Sequence, residues 1–259
     1  MTLKFYKYQG TGNDFIIMDN REELISLQTE QIAFLCDRRF GIGADGLMLL
    51  NNRTGYDFEM KYYNSDGREG TMCGNGGRCL VKFAYDMGIR KNEYLFSAID
   101  GEHEAEIDTE GIVSLKMKDV DEVVTDNNDF ILNTGSPHYI HQVEDVTKTD
   151  VYKEGRDIRY NDEFRKDGIN VNFVEVRDED ELYVRTYERG VEDETYSCGT
   201  GVTAAAIAFW HNERGYNNVV VKTKGGTLSV EYDRMNENEY RNIWLNGPAV
   251  RVFEGLIEL

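Results

Sequence analysis

The sequence predicts an α+β protein built from two copies of one domain, each with one buried central helix. The first observation is a Cys-Gly-x-Gly stretch that occurs at Cys73 and again at Cys198, and each time begins an apolar run. The second is that other short motifs repeat at nearly the same spacing. The third is that strand-type residues fill most of the remaining chain.

The spacing of the repeats supports two domains. Cys198 follows Cys73 by 125 positions (198 − 73), and Gly226 follows Gly101 by the same number. Two further pairs of motifs keep nearly this offset: Gly135-Ser136-Pro137-His138 after Gly12-Asn13-Asp14-Phe15, and Tyr187-Glu188-Arg189-Gly190 after Tyr63-Asn64-Ser65-Asp66. We therefore expect an N-terminal domain over residues 1–118, joined by the C-terminal strand 250–259, and a C-terminal domain over residues 119–249.

The first domain begins with two predicted strands, residues 3–8 and 15–18, because a polar, glycine-bearing corner separates two apolar stretches. Thr29 is expected to cap a helix that ends near residue 38. The apolar run after Cys73 predicts a second helix, which ends near residue 87 where a glycine follows. The remaining strands of this domain are predicted at residues 47–50, 58–63, 94–99, 102–107 and 112–117.

The second domain is predicted to follow an acidic crossover at residues 119–129. Residues 131–142 then repeat the strand, corner and strand of the N-terminus, and the charged stretch 144–166 predicts one solvated helix. The second central helix is expected over residues 200–212, where several alanines let strands pack closely. The remaining strands are predicted at residues 171–176, 182–187, 219–223, 227–232, 242–245 and 250–253.

Composition narrows the classes of partner and the compartment. A net charge of −19 disfavours nucleic acid and anionic membranes as partners, because both would repel the protein. The N-terminus does not have the pattern of a signal peptide, and no stretch approaches the length of a membrane span. We therefore expect a cytoplasmic protein whose four cysteines are reduced thiols.

The four cysteines fall into two classes. Cys36 lies in a helical apolar pattern and Cys79 one turn into a helix, so both are expected in the core. Cys73 and Cys198 each lie on a tight turn that begins a helix. The N–H groups and the dipole of a helix start lower the pKa of a thiol, so these two are the candidates for chemistry.

Two activated thiols on matched domains fit the inversion of a carbon centre. A racemase or epimerase needs a base on one face of a planar intermediate and an acid on the other, and one thiolate with one thiol supplies both. Glu188 and Arg189 can bind ammonium and carboxylate groups of a substrate, while helix-start N–H groups bind its α-carboxylate. The sequence contains no cofactor motif, so no cofactor is expected.

Each polar candidate also has a structural interpretation. Asn13, Asn64 and Asn75 are suited to satisfying turn backbones, but their matched positions beside the cysteine motifs favour substrate contact. His138 occupies a repeat position opposite Phe15, which suggests a special role. The sequence has no CxxC or HxxxH spacing, so no metal site is expected.

The motifs resemble those of the diaminopimelate epimerase family across nearly the full length. The matching segments, in the family's order, are Gly10-Thr11-Gly12-Asn13-Asp14-Phe15, Asn64-Ser65-Asp66-Gly67, Cys73-Gly74-Asn75-Gly76-Gly77-Arg78-Cys79, Tyr187-Glu188-Arg189-Gly190 and Cys198-Gly199-Thr200-Gly201. This resemblance implies two similar domains, each a β-barrel-like sheet wrapped round one helix. It also implies a cofactor-independent, homodimeric cytoplasmic enzyme that interconverts LL- and meso-diaminopimelate, a small amino-acid substrate, on the route to lysine and peptidoglycan.

The resemblance further implies roles for individual residues. Cys73 and Cys198 would be the acid/base pair, with His138 and Glu188 supporting proton transfer. The residues implied in substrate binding are Asn13, Asn64, Gly74, Asn75, Asn170, Glu188, Arg189, Gly199 and Thr200. Two positions depart from the family pattern: Ser136 replaces a common asparagine, and Gly46 replaces a glutamine of some members.

Two alternatives remain open from the sequence. The first is a proline or hydroxyproline racemase-like enzyme of the same fold, for which the polar set Asn64, Asn170, Glu188 and Arg189 is less suited, because a cyclic imino acid lacks a second amino-acid group. The second is a non-catalytic binding or redox protein that uses Cys73 and Cys198 as a dithiol.

Overall fold

A computed structural model describes residues 2–178, 181–209 and 214–259 of the chain. The chain divides into two compact units. The first unit comprises the residues up to Leu115 together with Gly247–Leu259, and the second comprises Lys116–Asn246. Within the described residues, no helix is long and apolar enough to cross a membrane.

The first unit alternates strands with two helices. Its elements up to residue 116 are β1 (Thr2–Gly10), β2 (Asn13–Asp19), α1 (Thr29–Cys36), β3 (Gly46–Asn51), β4 (Phe58–Asn64), α2 (Gly74–Asp86), β5 (Glu93–Ala98), β6 (Gly101–Ile107) and β7 (Ile112–Lys116).

The second unit also alternates strands with two helices. Its elements are β8 (Val123–Asp126), β9 (Asp129–Asn133), β10 (Pro137–Gln142), a 3₁₀ turn (Val146–Lys148), α3 (Val151–Arg159), β11 (Asn170–Asp178), β12 (Glu181–Glu188), β13 (Asp193–Thr195), α4 (Gly199–Phe209), β14 (Gly215–Thr223), β15 (Gly226–Arg234) and β16 (Tyr240–Pro248). The chain then returns to the first unit as β17 (Val250–Glu258).

Strand pairing repeats between the units. The order in the first is β17-β1-β2-β3-β4-β5-β6-β7, with β2–β3 and β4–β5 parallel and the other pairs antiparallel. The order in the second is β8-β9-β10-β11-β12-β14-β15-β16, with β10–β11 and β12–β14 parallel, and the short β13 also pairs with β12. The predicted α+β class is confirmed, and the internal repeat appears as one topology used twice.

Each unit packs its sheet around one helix. In the first unit, α2 contacts β1, β2, β3, β4, β6 and β17, and ten of its thirteen residues are buried. In the second, α4 contacts β9, β10, β11, β12, β14 and β15. Its run Ala204-Ala205-Ala206 is fully buried, because small side chains let the strands approach the helix. The start of each helix therefore lies at the end of a sheet-lined core.

The corner between β1 and β2 is a two-residue turn at Thr11 and Gly12. Both residues have positive φ, 49° and 85°, as in the type I′ turns that join tightly paired antiparallel strands. A β-branched residue rarely adopts this conformation, which costs free energy. The strained Thr11 is buried, and its hydroxyl accepts a hydrogen bond from the guanidinium of Arg78 at 3.3 Å.

Three local predictions need correction. Gln28, not Thr29, is the N-cap of α1, and its backbone N–H donates to the side chain of Gln31 at 2.9 Å. The predicted crossover at residues 119–129 contains β8, which pairs with β9 because Val123 and Val124 give the acidic segment enough strand character. Helix α3 is not fully solvated, since Val151 and Gly155 are buried. Residues 210–212 of the predicted second central helix lie outside the described residues.

Candidate active site

The first cysteine centre lies at the start of α2 and consists of Asn13, Asp45, Cys73, Asn75 and Arg78. Cys73 is the N-cap residue of the helix, with extended backbone angles of φ −99° and ψ 131°. The first N–H groups of a helix have no partner within the helix, so the turn after Cys73 presents donors and a positive dipole end. Cys73 is half-buried, and its sulfur lies 3.6 Å from Oδ1 of Asn13.

The amide of Asn13 has a fixed orientation. Its Nδ2 donates to Oδ2 of Asp45 at 2.6 Å, and Asp45 in turn accepts from Arg38 at 2.7 Å. A carboxylate can only accept, so the carbonyl oxygen of Asn13 must face Cys73. An acceptor at 3.6 Å from the sulfur favours the protonated thiol, which can donate to it.

Arg78 lies one turn below Cys73 and is completely buried. One of its terminal nitrogens donates to Oδ1 of Asn75 at 3.0 Å, and Asn75 donates through Nδ2 to Oδ1 of Asn13 at 3.4 Å. Among the described residues no carboxylate lies within the 4.0 Å ion-pair distance of its guanidinium, and its Nε has no hydrogen-bond partner. Burial lowers the pKa of this guanidinium, and a buried cation of this kind favours an anion at the helix start.

The second cysteine centre lies at the start of α4 and consists of His138, Asn172, Thr186, Cys198 and Thr200. Cys198 is 8% exposed, and its sulfur lies 3.5 Å from Oγ1 of Thr200. Oγ1 of Thr200 also lies 2.9 Å from Nε2 of His138, and Nδ1 of His138 lies 3.1 Å from Nδ2 of Asn172. Burial, with a smaller contribution from Arg189, lowers the pKa of His138 to about 3, so its imidazole is neutral near pH 7.

A polar cluster lies beside the second centre. Asn170 donates through Nδ2 to Oγ of Ser136 at 2.9 Å and accepts from the backbone N–H of Arg189 at 2.9 Å. The guanidinium of Arg189 donates to Ser136 at 3.4 Å and to the backbone oxygen of Asp167 at 3.1 Å, while the side chain remains exposed. The hydroxyl of Ser136 therefore links the two residues, although it replaces an asparagine of the family pattern.

The other predicted residues occupy the ends of strands. Asn64 is exposed at the end of β4, opposite Gly46 of β3, and Glu188 is the half-buried last residue of β12. Gly46 has a steric reason, because a Cβ there would lie 2.5 Å from the ring of Tyr62. The tyrosine ring leaves no room for the glutamine that some family members have.

The remaining cysteines behave as predicted from the sequence. Cys36 and Cys79 are buried, and burial raises the pKa of each thiol to about 12. Both are therefore neutral core side chains near pH 7. Among the described residues, no group of three or more histidine, cysteine, aspartate or glutamate side chains is placed to hold a metal ion.

Sequence reasoning missed three residues that orient the predicted ones. Asp45 fixes the amide of Asn13, and Asn172 with Thr186 fixes the imidazole of His138. Asn172 had a signal, because it lies two residues after Asn170 in a strand and so shares its face. No sequence signal points to Asp45, because its place beside Asn13 depends on the strand register that pairs Phe15 with Gly46.

Comparison with solved structures defines the fold. A phenazine biosynthesis protein of the PhzF family from Bacillus anthracis superposes with a TM-score of 0.75 at 16% identity, with 100% of both chains covered. A hydroxyproline epimerase from Agrobacterium vitis gives a TM-score of 0.68 at 11% identity, covering 99% of this chain and 91% of that one. The chain therefore has the fold that these proteins share, with a cysteine at the start of the central helix in each unit.

Sequence comparison is more specific. The family model for diaminopimelate epimerase matches residues 5–123 and 130–252. The diaminopimelate epimerase of Flavobacterium psychrophilum is 52% identical over 257 residues, covering 98% of this chain and 100% of the relative. That of Chlorobaculum tepidum is 46% identical over 260 residues, with 96% and 99% covered. The chain belongs to the diaminopimelate epimerase family.

Proposed function

We propose that this protein interconverts LL- and meso-diaminopimelate by a cofactor-independent, two-cysteine mechanism. Family membership at 52% identity over almost the whole chain supports the substrate. The observation that carries the mechanism is the opposite hydrogen-bond polarity at the two sulfurs. Cys73 faces a fixed carbonyl acceptor, whereas Cys198 faces a hydroxyl that is available to donate.

The chemistry follows from this polarity. The Cys198 thiolate removes the α-proton, and the electron pair of the broken C–H bond passes into the α-carboxylate as a planar intermediate forms. The Cys73 thiol then gives its proton to the opposite face of the carbon and becomes the thiolate. The configuration is inverted with no net gain or loss of protons, and the reverse reaction exchanges the two roles.

The intermediate carries extra negative charge on the α-carboxylate, and the helix starts are suited to bind it. The backbone N–H groups of Gly74, Asn75, Gly199 and Thr200 would donate to it, as donors aimed at developing charge do in other enzymes. The charge of Arg78, which is buried in the second turn of α2, adds to this field. Stabilisation of the planar intermediate lowers the barrier to proton removal.

The second amino-acid group of the substrate would bind at the polar residues around the second centre. Arg189 is suited to its carboxylate, because a guanidinium makes two parallel hydrogen bonds with a carboxylate. Asn170 and Ser136 hold Arg189 in place. Glu188 and Asn64 are suited to its ammonium group, and Asn13 would contact the reacting end.

We also propose a cytoplasmic homodimer, as the resemblance to the family implies. Val250, Val252 and Leu256 of β17 are 44%, 55% and 70% exposed, which is suited to an interface between copies. Light scattering should give twice the chain mass, and Val252→Glu should shift the protein toward the monomer. Cell fractionation tests the compartment.

The experiment that tests the reaction is a substrate panel. Purified protein without added cofactor is mixed with LL-diaminopimelate, L-proline or trans-4-hydroxy-L-proline, and the isomers are separated by chromatography. We expect meso-diaminopimelate to accumulate and the two imino acids to keep their configuration. Inversion of an imino acid would favour the racemase alternative, and no inversion of any substrate would favour a dithiol protein.

A further inference from the structure

His138 is enclosed by hydrogen-bond partners whose polarity can be worked out atom by atom. The ring is completely buried, so each of its nitrogens must be satisfied by protein groups. Nδ1 faces Asn172 at 3.1 Å and Nε2 faces Thr200 at 2.9 Å. A neutral imidazole has one donor and one acceptor nitrogen, and its neighbours decide which is which.

Asn172 has only one possible orientation. Its Nδ2 lies 3.1 Å from the backbone oxygen of Tyr139, which can only accept, and the hydroxyl of Thr186 donates to its Oδ1 at 2.8 Å. Asn172 is completely buried, and Gly201 makes room for it, since a Cβ there would lie 2.3 Å from Oδ1. The amide nitrogen must therefore face His138.

The polarity of the remaining contacts follows. Nδ1 of His138 accepts from Asn172, so the ring proton is on Nε2 and is donated to Oγ1 of Thr200. Thr200 keeps its own hydroxyl proton and can donate it to its other partner, the sulfur of Cys198 at 3.5 Å. Donation can thus run in one direction from Asn172 through His138 and Thr200 to a thiolate at Cys198.

We propose that Asn172 is a positioning residue that sets the tautomer of His138 and thereby makes Cys198 the hydrogen-bond acceptor of its centre. Asn172 does not touch the reacting atoms and acts through His138 and Thr200. The consequence is that the hydrogen bonds around Cys198 favour the thiolate form of that sulfur before substrate binds. This inference rests on the proposed function and deepens it, because it names the residue that orients the hydrogen bonds leading to Cys198.

The charged groups around the ring do not disturb this polarity. Burial holds the pKa of His138 at about 3, and the positive charge of Arg189 acts in the same direction. The two groups that hydrogen-bond to the ring, Thr200 and Asn172, are uncharged, and so are Thr186 and the backbone of Tyr139, which hydrogen-bond to Asn172. The imidazole therefore keeps one proton throughout the neutral range.

The first test reads the tautomer directly in the unmodified protein. Nitrogen-15 spectra of histidine-labelled protein separate protonated from unprotonated ring nitrogens, and His138→Gln identifies the signals of His138 among the four histidines. We expect Nε2 protonated and Nδ1 unprotonated from pH 5.5 to pH 8.5, well above the pKa of about 3. Protonated Nδ1, or titration of the ring within this range, would overturn the proposal.

The second test changes the residue that sets the tautomer. In Asn172→Asp a carboxylate oxygen replaces the donor, so Nδ1 should gain a proton in the same spectra. Asn20→Asp is the control, because Asn20 is a buried, hydrogen-bonded asparagine of the first unit. An Nδ1 that stays unprotonated in folded Asn172→Asp would contradict the role of Asn172.

The third test measures the last hydrogen bond of this series, between the hydroxyl of Thr200 and the sulfur of Cys198. Thr200→Val removes the donor, and the loss of one hydrogen bond should slow alkylation of Cys198 by iodoacetamide at pH 7 about fivefold, with Cys73 unchanged. Thr203→Val is the matched control, since that hydroxyl donates to the backbone oxygen of Gly199 in the same helix. A Cys198 rate unchanged in Thr200→Val would overturn the assignment. None of these measurements uses diaminopimelate, so they are independent of the substrate assignment.

Discussion

The two cysteine centres share a backbone and differ in the polarity at sulfur. Both cysteines precede a glycine that begins a buried helix, within units of the same strand order. In the first centre, Cys73 faces the carbonyl oxygen of Asn13. In the second, Cys198 faces the hydroxyl of Thr200. A duplicated domain thus provides the same helix start twice, while the side chains that contact the two sulfurs differ: an amide oxygen at Cys73 and a hydroxyl at Cys198.

Matched positions show how the difference arises. Ser136 matches Asn13, Thr200 matches Asn75 and Thr203 matches Arg78 in the internal repeat. In the first centre, charged side chains orient the amides: Arg78 donates to Asn75, and Asp45 accepts from Asn13. In the second centre, the neutral side chain of Asn172 orients His138. Inversion needs one acid and one base, and each centre takes one of these roles in one direction of the reaction and the other role in the reverse direction.

The largest expected effect comes from removing either sulfur. Cys73→Ala and Cys198→Ala should each abolish LL-to-meso conversion, because one face of the carbon then has no acid or base. Cys79→Ala and Cys36→Ala are the controls, since both thiols are buried and neutral. Assay of the four variants by chromatography checks this, and near-normal turnover without Cys73 or Cys198 would mean that the two centres do not act as a pair.

The next effect should come from Asp45, which orients the acid side. In Asp45→Ala the amide of Asn13 is free to rotate, and loss of a hydrogen bond to a charged group, about 1.5–3 kcal/mol, should lower kcat/KM by about 10- to 150-fold. Asp19→Ala is the control, because Asp19 also pairs with an arginine in the first unit. An equal kcat/KM in the two variants would show that the amide of Asn13 does not depend on Asp45 for its orientation.

The buried imidazole of the second centre should make stability depend on pH. The pKa of His138 is lowered to about 3 in the folded protein, whereas the unfolded chain binds the proton near pH 6.5. Stability from this residue is therefore present above pH 6.5 and is lost as the pH falls toward 3, by about 2 kcal/mol at pH 5. Urea unfolding at pH 7.5 and pH 5 should show this loss in the parent. A loss of the same size in His138→Gln would assign it to other groups.

The smallest effect is expected at Arg189, which is exposed. Arg189→Lys keeps the charge but loses the planar fork, so we expect kcat/KM for diaminopimelate to fall about tenfold, or about 1.4 kcal/mol. Arg177→Lys is the control, because Arg177 pairs with Glu175 in the same unit. A change within about threefold, or roughly 0.7 kcal/mol, would mean that Arg189 does not clamp the substrate.

Local sequence patterns predict the helix starts and most strands. The glycines beside Cys73 and Cys198 predict a sharp turn at each helix start, and alternating apolar residues predict the strands. Strand β8 was missed because acidic residues surround its two valines. The N-cap of α1 was placed one residue late because threonine is a commoner cap than glutamine.

The orienting residues could not be predicted, because they depend on register between distant strands. Asn172 reaches His138 through the parallel pairing of β10 and β11, in which His138 lies opposite Asn170. Asp45 reaches Asn13 through the parallel pairing of β2 and β3. A sequence shows which residues share a strand face, but not which strand lies beside it.

The most direct test of the two-base account is the fate of deuterium during early turnover. The unmodified enzyme is mixed with LL-diaminopimelate in deuterium oxide, and both isomers are analysed by mass spectrometry before equilibrium. If one cysteine removes the proton and the other delivers a solvent-derived one, meso product should carry one deuterium at the inverted carbon while remaining LL substrate carries none. Deuterium entering the LL substrate as fast as the product forms, or product without deuterium, would contradict the account.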